Sequence, residues 1–85
     1  MSLPDLRSLV AQAERRDDEE TLTEVAALVG VGVRALLSRE RTADLARRRA
    51  TVAWILHVRL HWTQARTAAV LGRTLRAVQM MVIKP

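Results

Sequence analysis

The sequence contains no cysteine, phenylalanine or tyrosine, and only three glycines and two prolines among 85 residues. The lack of cysteine excludes disulfide bonds and thiolate metal sites. A core without Phe or Tyr must use Leu, Val, Ala, Ile and Met, which suits helices better than strands. No apolar run reaches membrane-spanning length, and the N-terminus lacks the order of a signal peptide. We therefore expect one small all-α domain in the cytoplasm, with no membrane partner.

Acidic residues are scarce after residue 30. Residues 1–30 carry three arginines and seven acids, a net charge of −4, whereas residues 31–85 carry eleven basic residues against Glu40 and Asp44, a net charge of +9. Thirteen of the fourteen basic residues are arginine, whose fork fits phosphate and guanine. This basic portion favours a polyanion as the partner.

Patterns typical of catalysis or metal binding are weak. His57 and His61 are four residues apart and could share a metal, but no third ligand stands near and no Glu follows His57. The alternative is that they pack beside Trp54 and Trp62 or contact phosphate. There is no Ser/His/Asp set and no glycine-rich phosphate loop. We expect a protein that is not an enzyme and uses no cofactor or metal.

The N-terminal part predicts two helices separated by acids. Ser2 begins a first helix that should end near residue 16. Residues 17–20, Asp-Asp-Glu-Glu, predict a solvated connector; the alternative is that this acidic run covers the basic face when its polyanion is absent. The second helix is expected to be capped by Thr21 or Thr23.

A short third helix over residues 33–38 and a long fourth helix follow. The fourth begins at Thr42 or Asp44 and should reach about Leu60, because its apolar residues recur at helical spacing. Three arginines lie in its first turns: Arg47, Arg48 and Arg49. Since arginines there oppose the helix dipole, they favour a phosphate ligand. The alternative is a solvated, basic helix end.

Residues 63–83, TQARTAAVLGRTLRAVQMMVI, predict a helix, a glycine turn and a second helix. Thr63 can cap the first helix, and Thr74 can cap the second. Gly72 lies where the chain must turn with a positive φ. This is the pattern of a helix-turn-helix.

The spacing of apolar residues supports this motif. Ala68 lies four residues before the glycine and Val78 six after it, and Leu71 and Met81 complete the buried side. The outward residues of the second helix are Thr74, Leu75, Arg76, Gln79 and Met80. Such a face is polar and basic at its N-terminal end, as in a recognition helix in a major groove. Two helices joined at a glycine also occur in proteins that do not bind DNA, and the motif usually has an apolar residue where Arg73 stands.

An earlier segment shows the same offsets. Ala26, Gly30 and Leu36 match the small residue, the glycine and the apolar residue of residues 63–83. Here Arg39 takes the place of Met81, and a charge cannot be buried cheaply without a partner. The later copy is therefore the better candidate.

From Val25 onward, the chain resembles the C-terminal DNA-binding domain of the bacterial replication initiator DnaA, a fold related to Trp repressor. The similarity follows VAALVGVGVRALLS, an arginine-rich loop, TADLARRRATVAWIL and the helix-turn-helix, about sixty of the 85 residues. The matching positions are Leu36, Leu37, Ser38, Arg39, Arg41, Ala46, Arg47 and Arg49. The resemblance implies a basic loop that reaches DNA, and the helices predicted along the whole chain number about six. We divide the chain into an N-terminal helix and acidic connector (1–20) and a DnaA-like domain (21–85).

One part of the family pattern is missing. The family's recognition helix begins with Gly-Gly-Arg-Asp-His and then Ser or Thr, whereas residues 72–77 read Gly-Arg-Thr-Leu-Arg-Ala, one residue shorter and without Asp-His. The resemblance therefore implies the basic loop but not recognition of the initiator's own DNA box. The segment also resembles the Fis-type helix-turn-helix, which agrees on DNA binding.

Double-stranded DNA is the expected partner, and its contacts divide into two kinds. Arg76 and Gln79 are candidates for base edges, since Arg pairs with guanine and Gln with adenine. Leu75 can meet a thymine methyl group and Thr74 a phosphate. The remaining candidates position the backbone or enter a minor groove: Arg41, Arg47, Arg49, Arg73, Thr63 and Gln64.

A nucleoid-associated transcriptional regulator is the function we expect from this pattern. The chain stops just after the recognition helix, so we expect the DNA-binding domain of a larger activator, similar to that of the activator controlling gene transfer agents, whose remainder engages RNA polymerase. One alternative is a replication or phage accessory protein. Another is a protein-interaction module using Leu75, Met80 and Trp62. The first helix can either pack on its own domain or pair two copies into a homodimer.

Overall fold

The computed structural model describes residues 6–83 and contains no strand in that part of the chain. Five α-helices follow one another: α1 (Leu6–Val29), α2 (Val33–Leu37), α3 (Ala43–Trp54), α4 (Gln64–Leu71) and α5 (Leu75–Ile83). A π-helical segment, Ile55–Arg59, continues α3. The all-α prediction is confirmed, whereas the predicted number of about six helices is one too many within these residues.

The difference in number arises at the acidic run, because α1 passes through residues 17–20 without a break. The run contains neither glycine nor proline, and glutamate is a good helix former. Thr23 does not cap a helix; its hydroxyl donates to the Glu19 carbonyl one turn earlier, at 2.9 Å. The predicted connector and the caps at Thr21 or Thr23 are therefore wrong, and a division at residue 20 falls inside α1. The predicted start at Ser2 lies outside the described residues.

The predicted long helix is confirmed as α3 with its π-helical continuation. Thr42 caps it, since its hydroxyl accepts from the Leu45 amide at 3.2 Å. At the other end, the Leu60 amide donates to the Ile55 carbonyl at 3.0 Å, which is the wider π spacing. His61 then takes a positive φ of 58°. Together these features reverse the chain and direct it into α4.

The core lies where α3 meets the other helices. Its buried apolar residues are Leu22, Val25, Ala26, Leu36, Val52, Ala53, Leu56, Trp62 and Leu71. They come from α1, α2, α3, the π-helical segment, the turn before α4 and α4 itself, so the helix-turn-helix rests on a core built mainly by the preceding elements. No helix within residues 6–83 combines the length and apolar character needed to cross a membrane.

Candidate nucleic-acid interface

The turn between α4 and α5 has the geometry expected of a helix-turn-helix. Thr63 accepts from the Arg66 amide at 3.0 Å, and Thr74 accepts from the Ala77 amide at 3.1 Å, so each hydroxyl caps its helix. Gly72 has φ 63° and ψ 34°, the left-handed conformation that ends a helix. The following amide, that of Arg73, donates back to a carbonyl of α4. The predicted caps and turn are confirmed.

The two helices pack through the predicted residues. Ala68, Leu71 and Val78 are buried, and Met81 is half-buried against the core. All five residues predicted to face outward are exposed: Thr74, Leu75, Arg76, Gln79 and Met80. The helical periodicity therefore identified the free face of α5 correctly.

Arg76 and Gln79 lie one turn apart on that free face. Neither side chain makes a hydrogen bond or ion pair with the described part of the protein. Thr74 uses its oxygen as a cap acceptor, which leaves its hydroxyl proton available to a phosphate. Leu75 is 47% exposed, enough to meet an apolar group. The face thus offers two polar groups suited to bases beside one suited to a methyl group.

The basic loop (residues 38–42) lies directly beside the N-terminal end of α5. Nη2 of Arg73 donates to the backbone carbonyl of Ser38 at 2.7 Å, which joins the loop to the turn between α4 and α5. Arg39 and Arg41 are exposed, and neither is paired with another described residue. The structure therefore brings the loop arginines and the free face of α5 to the same end of the molecule.

Arg49, by contrast, is a structural residue. Its side chain is only 6% exposed, and its guanidinium donates to the carbonyls of Leu36 at 2.8 Å, Ser38 at 2.6 Å and Glu40 at 2.8 Å. Burial lowers the pKa of Arg49, the charge of Arg73 lowers it further, and Glu40 opposes both. The prediction that Arg49 contacts DNA does not fit this position, because its donors are occupied in shaping the basic loop.

Its neighbour Arg48 has a different role, which the sequence did not reveal. Nη1 donates to the carbonyls of Val29 at 3.1 Å and Gly30 at 2.8 Å, and Nε pairs with Asp44 at 3.0 Å. Arg48 thus satisfies carbonyls that the end of α1 leaves without partners. The signal was the glycine at residue 30, which marks a helix end in need of donors. Only Arg47 of the three points outward and stays available to a ligand.

The acidic run touches the interface at one place. Asp18 accepts from Arg66 of α4, with Nη2 to Oδ1 at 2.5 Å, and this hydrogen bond raises the pKa of Arg66. The Arg66 guanidinium also lies over the Trp62 ring, 4.0 Å from its centroid. Trp62 is a buried core residue, 6% exposed, so the prediction that it belongs to an exposed docking face is wrong. Thr63 and Gln64, the predicted phosphate contacts, begin the same helix, exposed and half-buried respectively.

The earlier glycine turn forms as well. Gly30 has φ 82°, and the Val31 amide donates to the Ala26 carbonyl at 3.0 Å, as Arg73 does to Ala68 in the later copy. The helix that follows, α2, has only five residues and ends before the basic loop. It is too short to present a recognition face, which supports the choice of the later copy.

The two histidines, His57 and His61, have different surroundings. Nδ1 of His57 lies 2.7 Å from the backbone carbonyl of Trp62, whereas His61 is an exposed residue of the turn before α4. The packing interpretation fits His57 because one ring nitrogen already has a backbone partner. Within residues 6–83, no group of three or more His, Cys, Asp or Glu side chains is placed to hold a metal ion.

Comparison of the chain with known protein families, with curated proteins and with solved structures finds no match. The similarity to the DnaA domain therefore stays a prediction drawn from residues 25–83. What the molecule can bind follows from the interface itself: a free α5 face, a basic loop and two helix N-termini.

Proposed function

We propose that this protein binds double-stranded DNA, with α5 in the major groove and the basic loop on the adjacent backbone or minor groove. The observation that carries this proposal is the 2.7 Å hydrogen bond from Arg73 to the Ser38 carbonyl. It holds the basic loop beside the end of α5 whose residues would meet base edges. A recognition helix needs such backbone contacts on its flank to fix its register on the duplex.

Each proposed contact has a distinct physical role. Arg76 pairs with guanine and Gln79 with adenine, because both are exposed and free to form bidentate bonds. The backbone contacts come from Arg41, Arg47 and Arg73, with Thr63 and Gln64 at the N-terminus of α4. Arg49 acts through the loop, as a positioning residue.

The first experiment measures the dissociation constant for random duplex DNA at several salt concentrations. When the logarithm of the association constant is plotted against the logarithm of the salt concentration, each phosphate contact contributes about −0.9 to the slope. Binding must therefore weaken steeply as the salt concentration rises. Arg41→Gln removes one contact and should make this slope less negative by about 0.9. Arg59→Gln is the matched control, because Arg59 is exposed and carries the same charge on the π-helical segment, outside the basic loop. Absence of binding at low salt would refute the proposal.

Sequence recognition requires a second experiment on a duplex selected from a random pool. Arg76→Ala and Gln79→Ala should each weaken binding to the selected duplex by about 1–3 kcal/mol and relax preference at one base position. Both variants should bind random duplex as the unchanged protein does. Equal losses on selected and random DNA would show that these side chains contact the backbone instead.

A DnaA-like regulator of transcription is the biological role we favour, acting at the nucleoid alone or as the DNA-binding domain of a larger activator that engages RNA polymerase. A replication or phage accessory protein would use the same contacts. Mapping the bound sites on the source genome separates the two: promoters support regulation, and a replication origin supports the accessory role.

A protein-interaction module is a second candidate because α5 exposes apolar side chains. Met80 is 69% exposed and Leu75 47% exposed on the same helix. Such a face would bind a protein partner with little salt dependence, whereas the DNA interface weakens with salt. The salt series described above therefore discriminates between these functions.

A further inference from the structure

A groove of about 600 Å³ separates the basic loop from α5. Its positive charge exceeds its negative charge: four arginines line it, Arg39, Arg41, Arg49 and Arg73, against Glu40 alone. Arg39 and Arg41 have no partner among the described residues, and Arg73 uses one of its donors on Ser38, which leaves others for a ligand. The charge of Arg73 also lowers the pKa of Arg49 across the groove. An anion bound there would relieve this repulsion between like charges.

The rest of the groove lining is apolar. It consists of Ala46 from α3 with Ala77 and Met81 from α5. A bare phosphate gains nothing from methyl and thioether groups, whereas a sugar or a base ring buries apolar surface against them. The volume also lies in the range of small-ligand sites, roughly 300–1,000 Å³, and is larger than a single phosphate needs.

We propose that this groove binds one nucleotide unit. Its phosphate is held by Arg39, Arg41 and Arg73, and its sugar or base lies against the wall formed by Ala46, Ala77 and Met81. The unit comes either from a DNA strand passing between the loop and α5, or from a free nucleotide. The strand form rests on the proposed function, whereas the free form does not need it.

Binding of a free nucleotide is tested by titrating the isotope-labelled protein with thymidine 5′-monophosphate and following its backbone amide signals. We expect saturable shifts at residues 39–41, 46, 73 and 77. Thymidine without phosphate and inorganic phosphate are the comparisons. Each should bind more weakly, because thymidine lacks the phosphate for the arginines and inorganic phosphate lacks the sugar and base for the apolar residues.

The location is tested with two variants that add the same charge. Ala46→Glu places a carboxylate in the groove, and Ala27→Glu places one on α1, outside it. Both positions are exposed and helical, so both variants should fold. Ala46→Glu should weaken nucleotide or duplex binding by roughly tenfold through like-charge repulsion with the phosphate, and Ala27→Glu by much less.

The outcomes distinguish the two sources. If nucleotide binding is saturable and only Ala46→Glu weakens it, the groove binds a free nucleotide. This holds even if the protein fails to bind duplex DNA and the proposed function is refuted. No nucleotide binding, with duplex binding weakened by Ala46→Glu and not by Ala27→Glu, supports a unit of the strand. If the two variants behave alike toward both probes, or neither probe binds, the proposal is wrong.

Discussion

At the scale of single residues, three consecutive arginines perform three different functions. Successive helical residues point about 100° apart, so Arg47, Arg48 and Arg49 face three directions from α3. Arg49 enters the core and holds the basic loop, Arg48 covers the end of α1, and Arg47 faces solvent. Burial and hydrogen-bond partners decide their roles, since their charge and their helix are the same.

Arg49→Ala should lower the free energy of unfolding by about 3 kcal/mol, because it leaves one carbonyl of α2 and two of the basic loop without this donor. Chemical denaturation followed by circular dichroism measures this. Arg47→Ala is the neighbouring control, and its unfolding free energy should change by less than about 0.5 kcal/mol. Conversely, Arg47→Ala should weaken binding to duplex DNA. If the two variants lose equal stability, Arg49 does not hold the loop.

At the scale of elements, the helix-turn-helix depends on a left-handed residue at its turn. Gly72 has open space around the position a Cβ would occupy, so an added methyl group meets no neighbouring atom. A side chain at residue 72 therefore costs free energy because of the positive φ of the backbone, and not because of a steric clash. The turn sets the angle between α4 and α5, and with it the direction of the α5 free face.

Gly72→Ala should destabilise the protein by about 1 kcal/mol, the cost of placing an L-residue with a side chain at positive φ. Gly32→Ala is the matched control, since Gly32 also has open space but an extended backbone with φ −74°. The unfolding free energy of Gly32→Ala should change by less than about 0.5 kcal/mol. Alanine stabilises the protein by making the unfolded chain less flexible, and this offsets the stability lost when glycine, a favoured N-cap residue, is replaced. Thermal unfolding of both variants gives the comparison; similar midpoints would show that the turn tolerates left-handed alanine.

At the scale of the whole molecule, charge is distributed unevenly between a mainly acidic N-terminal portion and a basic remainder. The two portions are joined by the Asp18–Arg66 ion pair, which links α1 to the first helix of the helix-turn-helix. The partner of Asp18 lies on α4, and not on α5 or in the basic loop. Asp18 thus attaches α1 to the first turn of α4, where Thr63 and Gln64 also lie, and it does not pair with the contact residues proposed on α5 or in the basic loop.

Asp18→Asn should reduce stability by no more than about 1 kcal/mol, because Arg66 is partly exposed and water screens the pair. Asp17→Asn, an exposed neighbour with the same charge, should have a smaller effect. Both variants should raise affinity for duplex DNA by a similar small factor, since each removes one negative charge from the same turn. A much larger gain for Asp18→Asn would instead mean that this carboxylate covers the interface.

The amino-acid sequence alone determined the local features of the protein: its all-α class, the caps at Thr63 and Thr74, the turn at Gly72 and the outward face of α5. Each depends on residues within a few positions of one another, through helical periodicity, hydroxyl capping and the φ that glycine allows. Such interactions can be recognised from spacing without knowledge of the rest of the chain.

The tertiary structure alone decided which charged and aromatic side chains remain available to a ligand. Arg48 and Arg49 meet carbonyls from other elements, Trp62 is buried in a core to which several elements contribute, and Asp18 of α1 pairs with Arg66 of α4. The groove between the basic loop and α5 likewise exists only because the basic loop, α3 and α5 meet. All of these contacts join residues distant in sequence, and hydrogen-bond satisfaction after packing, not local pattern, determines which guanidinium is buried and which is free.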